Sequence, residues 1–244
     1  MPEYNTGNFV AVDIETTGLS PTSERIIEIG ALRVRDGKVE EEFDMLLNPE
    51  RSVGSFITGL TGITDEMLER APDTESALRA FLDFAGEDAL LGHNIDFDYG
   101  FLKKNMADIG ESFERRGIDT LRIARKHLPQ LEDRSLATLC SYYGIINQRA
   151  HRACEDARAT FELYCRLREE FCEGTQDGLF LPAALNVRIK KESPATPAQL
   201  KYLRALMAQH GIELQVEAET LTKREASRQI DRIISTCGRL PGRS

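Results

Sequence analysis

Along the first fifty residues the hydrophobic positions follow a strand period rather than a helical one. Phe9, Val10, Ala11, Val12 and Ile14 make the continuous apolar run of a strand buried on both faces, which Asp13 and Glu15 interrupt at its far end. Side chains alternate across a strand, so positions 13 and 15 share a face and set two carboxylates a few ångströms apart. Two such charges repel, and burial makes the repulsion worse unless a divalent cation lies between them. Thr16, Thr17 and Gly18 then predict a sharp turn whose backbone donors suit a phosphate or a sugar.

Two further strand runs, 25–35 and 38–47, flank Asp36-Gly37, the strongest short hairpin signal available. After Asn48-Pro49 the period changes. Thr64 caps a short helix over 65–70, and a second begins at Thr74 with Ala77, Leu78, Phe81, Leu82 and Ala85 on one face. A short apolar strand at 89–92 runs into a helix over 97–109. Strand 118–123 runs into a helix, a further helix over 135–143 starts from a Ser135 cap, and a long helix covers 153–171 with Ala157, Thr160, Phe161, Tyr164 and Leu167 as its inner stripe. A hairpin followed by alternating strands and helices predicts an α/β fold, a mixed sheet with helices on both faces.

Glycines and prolines between 174 and 197 mark an edge. The expected division is a domain over 1–174, a linker over 175–195 and a small basic helical module over 196–244. In that module Thr196-Pro197 starts a helix with Leu200, Leu203, Leu206 and Met207 as its apolar positions, and Thr222 starts a second with Ala226, Ile230, Ile233 and Ile234, a small hairpin that needs a partner surface or each other.

A hydrophobic content of 41% over 244 residues fills one ordinary core and something smaller. The chain has no secretory or membrane-spanning pattern, which predicts a cytoplasmic protein with no membrane partner. Five cysteines without a Cys-x-x-Cys pair exclude a disulfide framework or zinc site as the expectation. The net charge of -9 is uneven: residues 187–244 hold 11 Lys and Arg against 6 Asp and Glu, a net of +5, leaving 20 against 34, or -14, for residues 1–186. An acidic body with a basic appendage suits an enzyme that holds metals in one part and a polyanion partly with the other. Lys190, Lys191, Lys201, Arg204, Lys223, Arg224, Arg228 and Arg232 carry that expectation; a solvated face on a protein-docking module is the alternative.

Acidic positions recur further along the chain, Asp98 after His93-Asn94 and Asp156 five residues after His151. A parallel sheet gathers such positions at the carboxyl ends of its strands. Asp13-Ile14-Glu15-Thr16-Thr17-Gly18, Gly92-His93-Asn94-Ile95-Asp96-Phe97-Asp98 and His151-Arg152-Ala153-Cys154-Glu155-Asp156-Ala157-Arg158, together with Leu60-Thr61-Gly62-Ile63-Thr64, resemble in order and spacing the DEDDh 3′→5′ exonucleases of the ribonuclease H-like superfamily. The chain looks closest to the proofreading ε subunits of bacterial replicases and to the exonuclease domains inserted in Gram-positive replicative polymerases.

The resemblance implies a ribonuclease H-like fold and a phosphodiesterase using two Mg²⁺ or Mn²⁺ ions. It implies that Asp13 bridges both ions, that Glu15 and Asp156 complete the site beside the attacking water, and that Asp98 supports the second ion. His151 would take the proton, as a residue type that titrates near neutrality can. Thr16, Gly18 and Leu19 would meet the terminal nucleotide, with Thr61 and Phe97 near its sugar or base; a flat Phe offers stacking to any base. Spacing alone leaves Asp96 open as the ligand in place of Asp98. His93 is expected to fix a turn, and His127 and His210 to lie on the surface. The implied substrate is the 3′ end of single-stranded DNA, with RNA or short oligoribonucleotides as the alternative and a DNA polymerase as a further partner. A catalytically silent scaffold that docks a polymerase or clamp is the reading from another class, and the complete set of four acids and a histidine argues against it.

Overall fold

The computed structural model describes residues 7–172, 177–187, 193–212 and 221–238. Strand β1 (Phe9–Thr16) pairs antiparallel with β2 (Ile26–Arg35), and β2 pairs antiparallel with β3 (Lys38–Leu46). Asp36 and Gly37 turn that hairpin with φ of 48° and 75°, the double left-handed geometry for which Asp-Gly is suited. On its other side β1 runs parallel to β4 (Leu90–Gly92), which runs parallel to β5 (Arg116–Asp119). A two-residue strand β6 (Ala183–Ala184) closes the edge antiparallel, giving the order β3-β2-β1-β4-β5-β6. The expected mixed sheet is therefore present, with six strands.

Helices cover both faces of it. Val10, Val12 and Ile14 of β1 bury one face against α3 (Thr74–Ala85) and α4 (Ile95–Asp108). Phe9 and Ala11 bury the other against α5 (Thr120–His127), α6 (Leu136–Tyr143) and α7 (Ala153–Phe171). Phe9 meets Tyr164 edge-on with ring centres 5.4 Å apart, which fixes α7 across the sheet. Two short helices, α1 (Gly54–Thr61) and α2 (Asp65–Glu69), sit over Ile27 with Val53, Ile63 and Leu68. Thr64 caps α2 as expected, accepting from the Met67 amide. Helix α1 was not expected: it has glycines at 54 and 59 and no side-chain cap, so neither propensity nor capping marks it.

The chain divides into two compact units, residues 1–188 and 189–244. This corrects the expected linker over 175–195. Residues 177–187 belong to the first unit, because Phe180 and Leu185 are buried in its cores and β6 pairs with β5. In the second unit α8 (Pro197–His210) and α9 (Lys223–Cys237) share a core of Leu203, Leu206, Ala226 and Ile233. Each begins with a capping box, Thr196 with Gln199 and Thr222 with Glu225. Lys190 and Lys191, counted in its basic face, lie outside the described residues, as do the side chains of Arg224 and Arg228. Among the described residues no helix is long and apolar enough to cross a membrane, and no disulfide joins the five cysteines.

Candidate active site

Asp13 and Glu15 continue the face of β1 that begins with Phe9 and Ala11, so they point to the side of the sheet that α7 covers. From Phe9 to Asp13 the strand advances about 13 Å. From Tyr164 back to Asp156 the helix retreats about 12 Å, so Asp156 arrives at the level of Asp13. Close packing makes the match possible. Gly30, the partner of Asp13 on β2, has no side chain, and a Cβ there would stand 2.0 Å from the Cys154 amide nitrogen.

Asp98 reaches the same place from the opposite face. It lies in the first turn of α4, is 3% exposed, and accepts a hydrogen bond of 3.1 Å from the Ile14 amide, between the two acids of β1. Asp96 points elsewhere, to an ion pair with the exposed Arg122. The alternative left open by spacing thus has a geometric answer, in which Asp98 and not Asp96 stands beside β1.

The electrostatics of this edge are adverse. Burial, and then the charges of Asp98, Asp156 and Glu15, push the Asp13 carboxyl well above the usual carboxylate range. Burial and Asp156 push Glu15 up to about 8, only partly offset by Arg152. Asp98 is raised by burial and Asp156 likewise, although Asp156 accepts hydrogen bonds from the Asn147 side chain and, at 3.0 Å, from the His151 amide. Neither Asp13 nor Glu15 accepts a side-chain or amide hydrogen bond among the described residues. Oxygen-rich and, among the described residues, without a Lys or Arg in contact, this donor set fits a hard divalent ion. One ligand atom each from Glu15, His151 and Asp156 lies within 4.8 Å of the others. Asp13 and Asp98 are not in that trio and lie beside it, linked through Ile14.

His151 is exposed at the mouth of the site, in a left-handed conformation with φ of 65°. The turn after β1 is fixed from below: Thr16 Oγ1 donates to the Gly18 carbonyl at 2.7 Å, and Thr17 donates to Glu24, which Arg51 also holds. Gly18 passes so close to Glu24 that a Cβ would stand 2.9 Å from Glu24 Cγ. This leaves Leu19 87% exposed, a large apolar side chain in water beside the acids. Thr61 is buried, its hydroxyl donating to the Ile57 carbonyl and accepting from the Ile63 amide, so no free proton remains on it for a ligand. Phe97 is half-buried against Phe101, with ring centres 5.1 Å apart.

His93 does fix a turn: its ring bridges Thr120 and the Arg134 carbonyl, and burial lowers its pKa. The surface expectation for His127 is corrected, because it is half-buried, stacks on Phe171 and pairs with Asp177 at 2.7 Å. Three residues at this edge went unmarked in the sequence. Asn147 and Arg152 carry no pattern signal, but Glu28 does: it is a charge among Ile26, Ile27 and Ile29, the same anomaly that marks Asp13.

Comparison with known proteins agrees with this geometry. The family model for the exonuclease domain, RNase_T, matches residues 10–164. The chain is 40% identical over 167 residues to a PolC-type DNA polymerase III of Caldanaerobacter subterraneus subsp. tengcongensis, and 38% identical over 168 residues to that of Bacillus subtilis. Each match covers 68% of this chain and only 12% of the polymerase, so the chain spans about an eighth of the length of the curated relatives it matches. Among solved structures, Exonuclease I superimposes with a TM-score of 0.62 at 20% identity, over 71% of this chain and 42% of that one. Exonuclease X in complex with 5′ overhanging duplex DNA gives 0.56 at 24%, over 67% and 93%. The nuclease domain of 3′hExo, a DEDDh family member bound to rAMP, gives 0.59 at 19%, over 70% and 96%. With a fold shared by these nucleases and a domain model matched over most of the first unit, the chain belongs to the exonuclease family of the RNase_T model.

Proposed function

We propose that the protein removes nucleotides one at a time from the 3′ end of DNA, using two Mg²⁺ or Mn²⁺ ions held by Asp13, Glu15, Asp98 and Asp156, and releases nucleoside monophosphates. The observation that carries this reading is the gathering of four carboxylates at one edge of the sheet, all raised above their ordinary range and none in an ion pair with a Lys or Arg among the described residues. Their division into Glu15 with Asp156 and His151, and Asp13 with Asp98, supports two ion positions rather than one. When bound, such ions lower the pKa of a water and neutralise charge on the phosphate.

The side chains divide the remaining tasks. His151, exposed and beside Glu15 and Asp156, is the proton acceptor for the attacking water. Asp156 orients that histidine by accepting from its backbone amide. Leu19 and Phe97 flank the terminal nucleotide with apolar surface that accepts any base, and Thr16 and Gly18 hold the turn that presents Leu19. Thr61 contributes its methyl group or backbone there, its hydroxyl being engaged.

Preference for DNA is supported by the relatives, which are named as DNA polymerases, and by neighbours solved with DNA. A cytoplasmic place beside a DNA polymerase, in proofreading or repair, is the reading those names support. The net charge of +5 over residues 187–244 supports a part for the second unit in holding the strand upstream of the cut. Labelled single-stranded DNA, single-stranded RNA and a mismatched duplex, each incubated with Mg²⁺, Mn²⁺ or chelator, test the reading. Shortening of DNA from the 3′ end, abolished by chelator, is expected. Faster shortening of RNA would transfer the assignment to RNA trimming, and no cleavage of any strand would leave the docking scaffold.

A further inference from the structure

Helix α7, at 19 residues the longest among the described residues, starts at the site, yet its own N-cap residue, Arg152, makes no side-chain cap. The missing acceptor comes from 125 residues earlier. Glu28 of β2, with 0% exposure, accepts from the Ala153 amide through Oε2 at 2.9 Å. The same carboxylate accepts from Arg152 Nε at 2.9 and 3.2 Å, and again from its Nη2. An anion at this point also complements the positive end of the helix dipole. Strand and helix are thus joined by a buried, charge-assisted clamp, next to the point where Gly30 allows the two backbones to touch.

The clamp lies between two site residues. His151 immediately precedes it, and Asp156 follows one turn later, tied back to the His151 amide. Glu28 in turn is the cross-strand partner of Glu15. We propose that Glu28 is a positioning residue of the nuclease site: through Arg152 and the Ala153 amide it fixes the start of α7 on β2, and so sets where His151 and Asp156 stand relative to Asp13 and Glu15. Glu28 does not touch substrate and takes no proton. Its effect on rate runs through geometry, where a misplacement of about 1 Å can cost about 100-fold. The idea rests on the exonuclease reading for its catalytic consequence, but its structural half stands without it.

Two variants of the full chain test it, Glu28→Gln, which keeps volume and one acceptor, and Arg152→Met, which leaves Glu28 in place at a partly exposed partner. Hydrogen exchange read by mass spectrometry should rise in the segment 150–157 and remain unchanged in β1 and α4. With a labelled DNA strand at 20 °C, kcat should fall about 100-fold while KM stays within threefold, since the terminal-nucleotide contacts lie elsewhere. Arg152→Lys should recover only part of the rate, because an ammonium cannot reproduce the forked contact. If Glu28→Gln does not fold, Arg152→Met alone decides. A lower melting temperature with kcat unchanged, or exchange rising throughout the first unit, would mean that the pair only stabilises the fold and would overturn the proposal. If the wild-type protein cuts no nucleic acid, the exchange pattern still decides the clamp, and the failure belongs to the proposed function.

Discussion

Glu15 and Glu28 are partners in the register of β1 and β2, yet the protein treats the two carboxylates in opposite ways. Glu28 is the more deeply buried, and it receives a guanidinium and an amide. Glu15 keeps some exposure, accepts no hydrogen bond among the described residues, and faces Asp156 and Asp13. Removing one partner of a buried ion pair typically costs about 3–5 kcal/mol, so the chain is able to neutralise an acid when the fold requires it. That it does so for Glu28, while the Asp13 and Glu15 carboxylates accept no hydrogen bond among the described residues, is the contrast on which the proposed metal reading rests.

The sharpest way to break that distinction is Asp13→Ala. Cleavage should fall by more than about 1000-fold, a scale that metal-assisted charge stabilisation can supply. In the metal-free protein the melting temperature should rise, because a carboxyl that burial and its neighbours make costly to ionise is gone. Retained cleavage would make Asp13 as structural as Glu28. His151→Ala comes next, with a fall of about 100- to 10,000-fold and little change in metal affinity measured by calorimetry. A collapse of that affinity would instead enrol His151 with Glu15 and Asp156 as a ligand. Asp98→Asn should lose most activity and Asp96→Asn should stay within a few-fold of wild type, since Asp96 is engaged by Arg122 at the surface; the reverse ranking would move the site by half a helical turn.

The smallest effect is on stability. Glu15 is raised from 4.5 to about 8, so between those values the folded protein holds a proton that the unfolded chain has released. The metal-free protein should therefore lose stability as pH rises from about 4.5 to 8, and Glu15→Gln should flatten that slope. Mg²⁺ at pH 8 should restore the melting temperature, as binding to the folded state alone requires. A pH-independent melting temperature in the metal-free wild type would mean that Glu15 is compensated like Glu28.

Much of this was legible in the sequence because the relevant signals are local. Alternation placed Asp13 and Glu15 on one face, Asp36-Gly37 gave the hairpin, and Thr64, Ser135, Thr196 and Thr222 cap the helices they precede. What was not legible depends on contacts between distant residues. Asp96 and Asp98 differ only in which one the Ile14 amide meets, 84 residues away. The trans cap from Glu28 to α7 spans 125 residues, and although the charge among Ile26, Ile27 and Ile29 marks Glu28 as unusual, nothing in the pattern names its partner. Residues 177–187 carry Gly178 and Pro182 with little periodicity and look like linker, and only the packing of Phe180 and Leu185 shows them to be part of the first unit.

Gly30 carries a consequence for anyone reading genotype against phenotype. It bears no functional group, yet the smallest added side chain would displace Cys154 and Ala153, whose backbone lies at 2.0–2.1 Å from the Cβ position. In a saturation scan it should therefore score with the acidic residues as intolerant, and a survey ranking positions by sensitivity alone would list it among the chemistry. Pairing each activity score with an abundance score would show the difference: Asp13 variants would accumulate as inert protein, whereas Gly30 variants would lose protein and activity together.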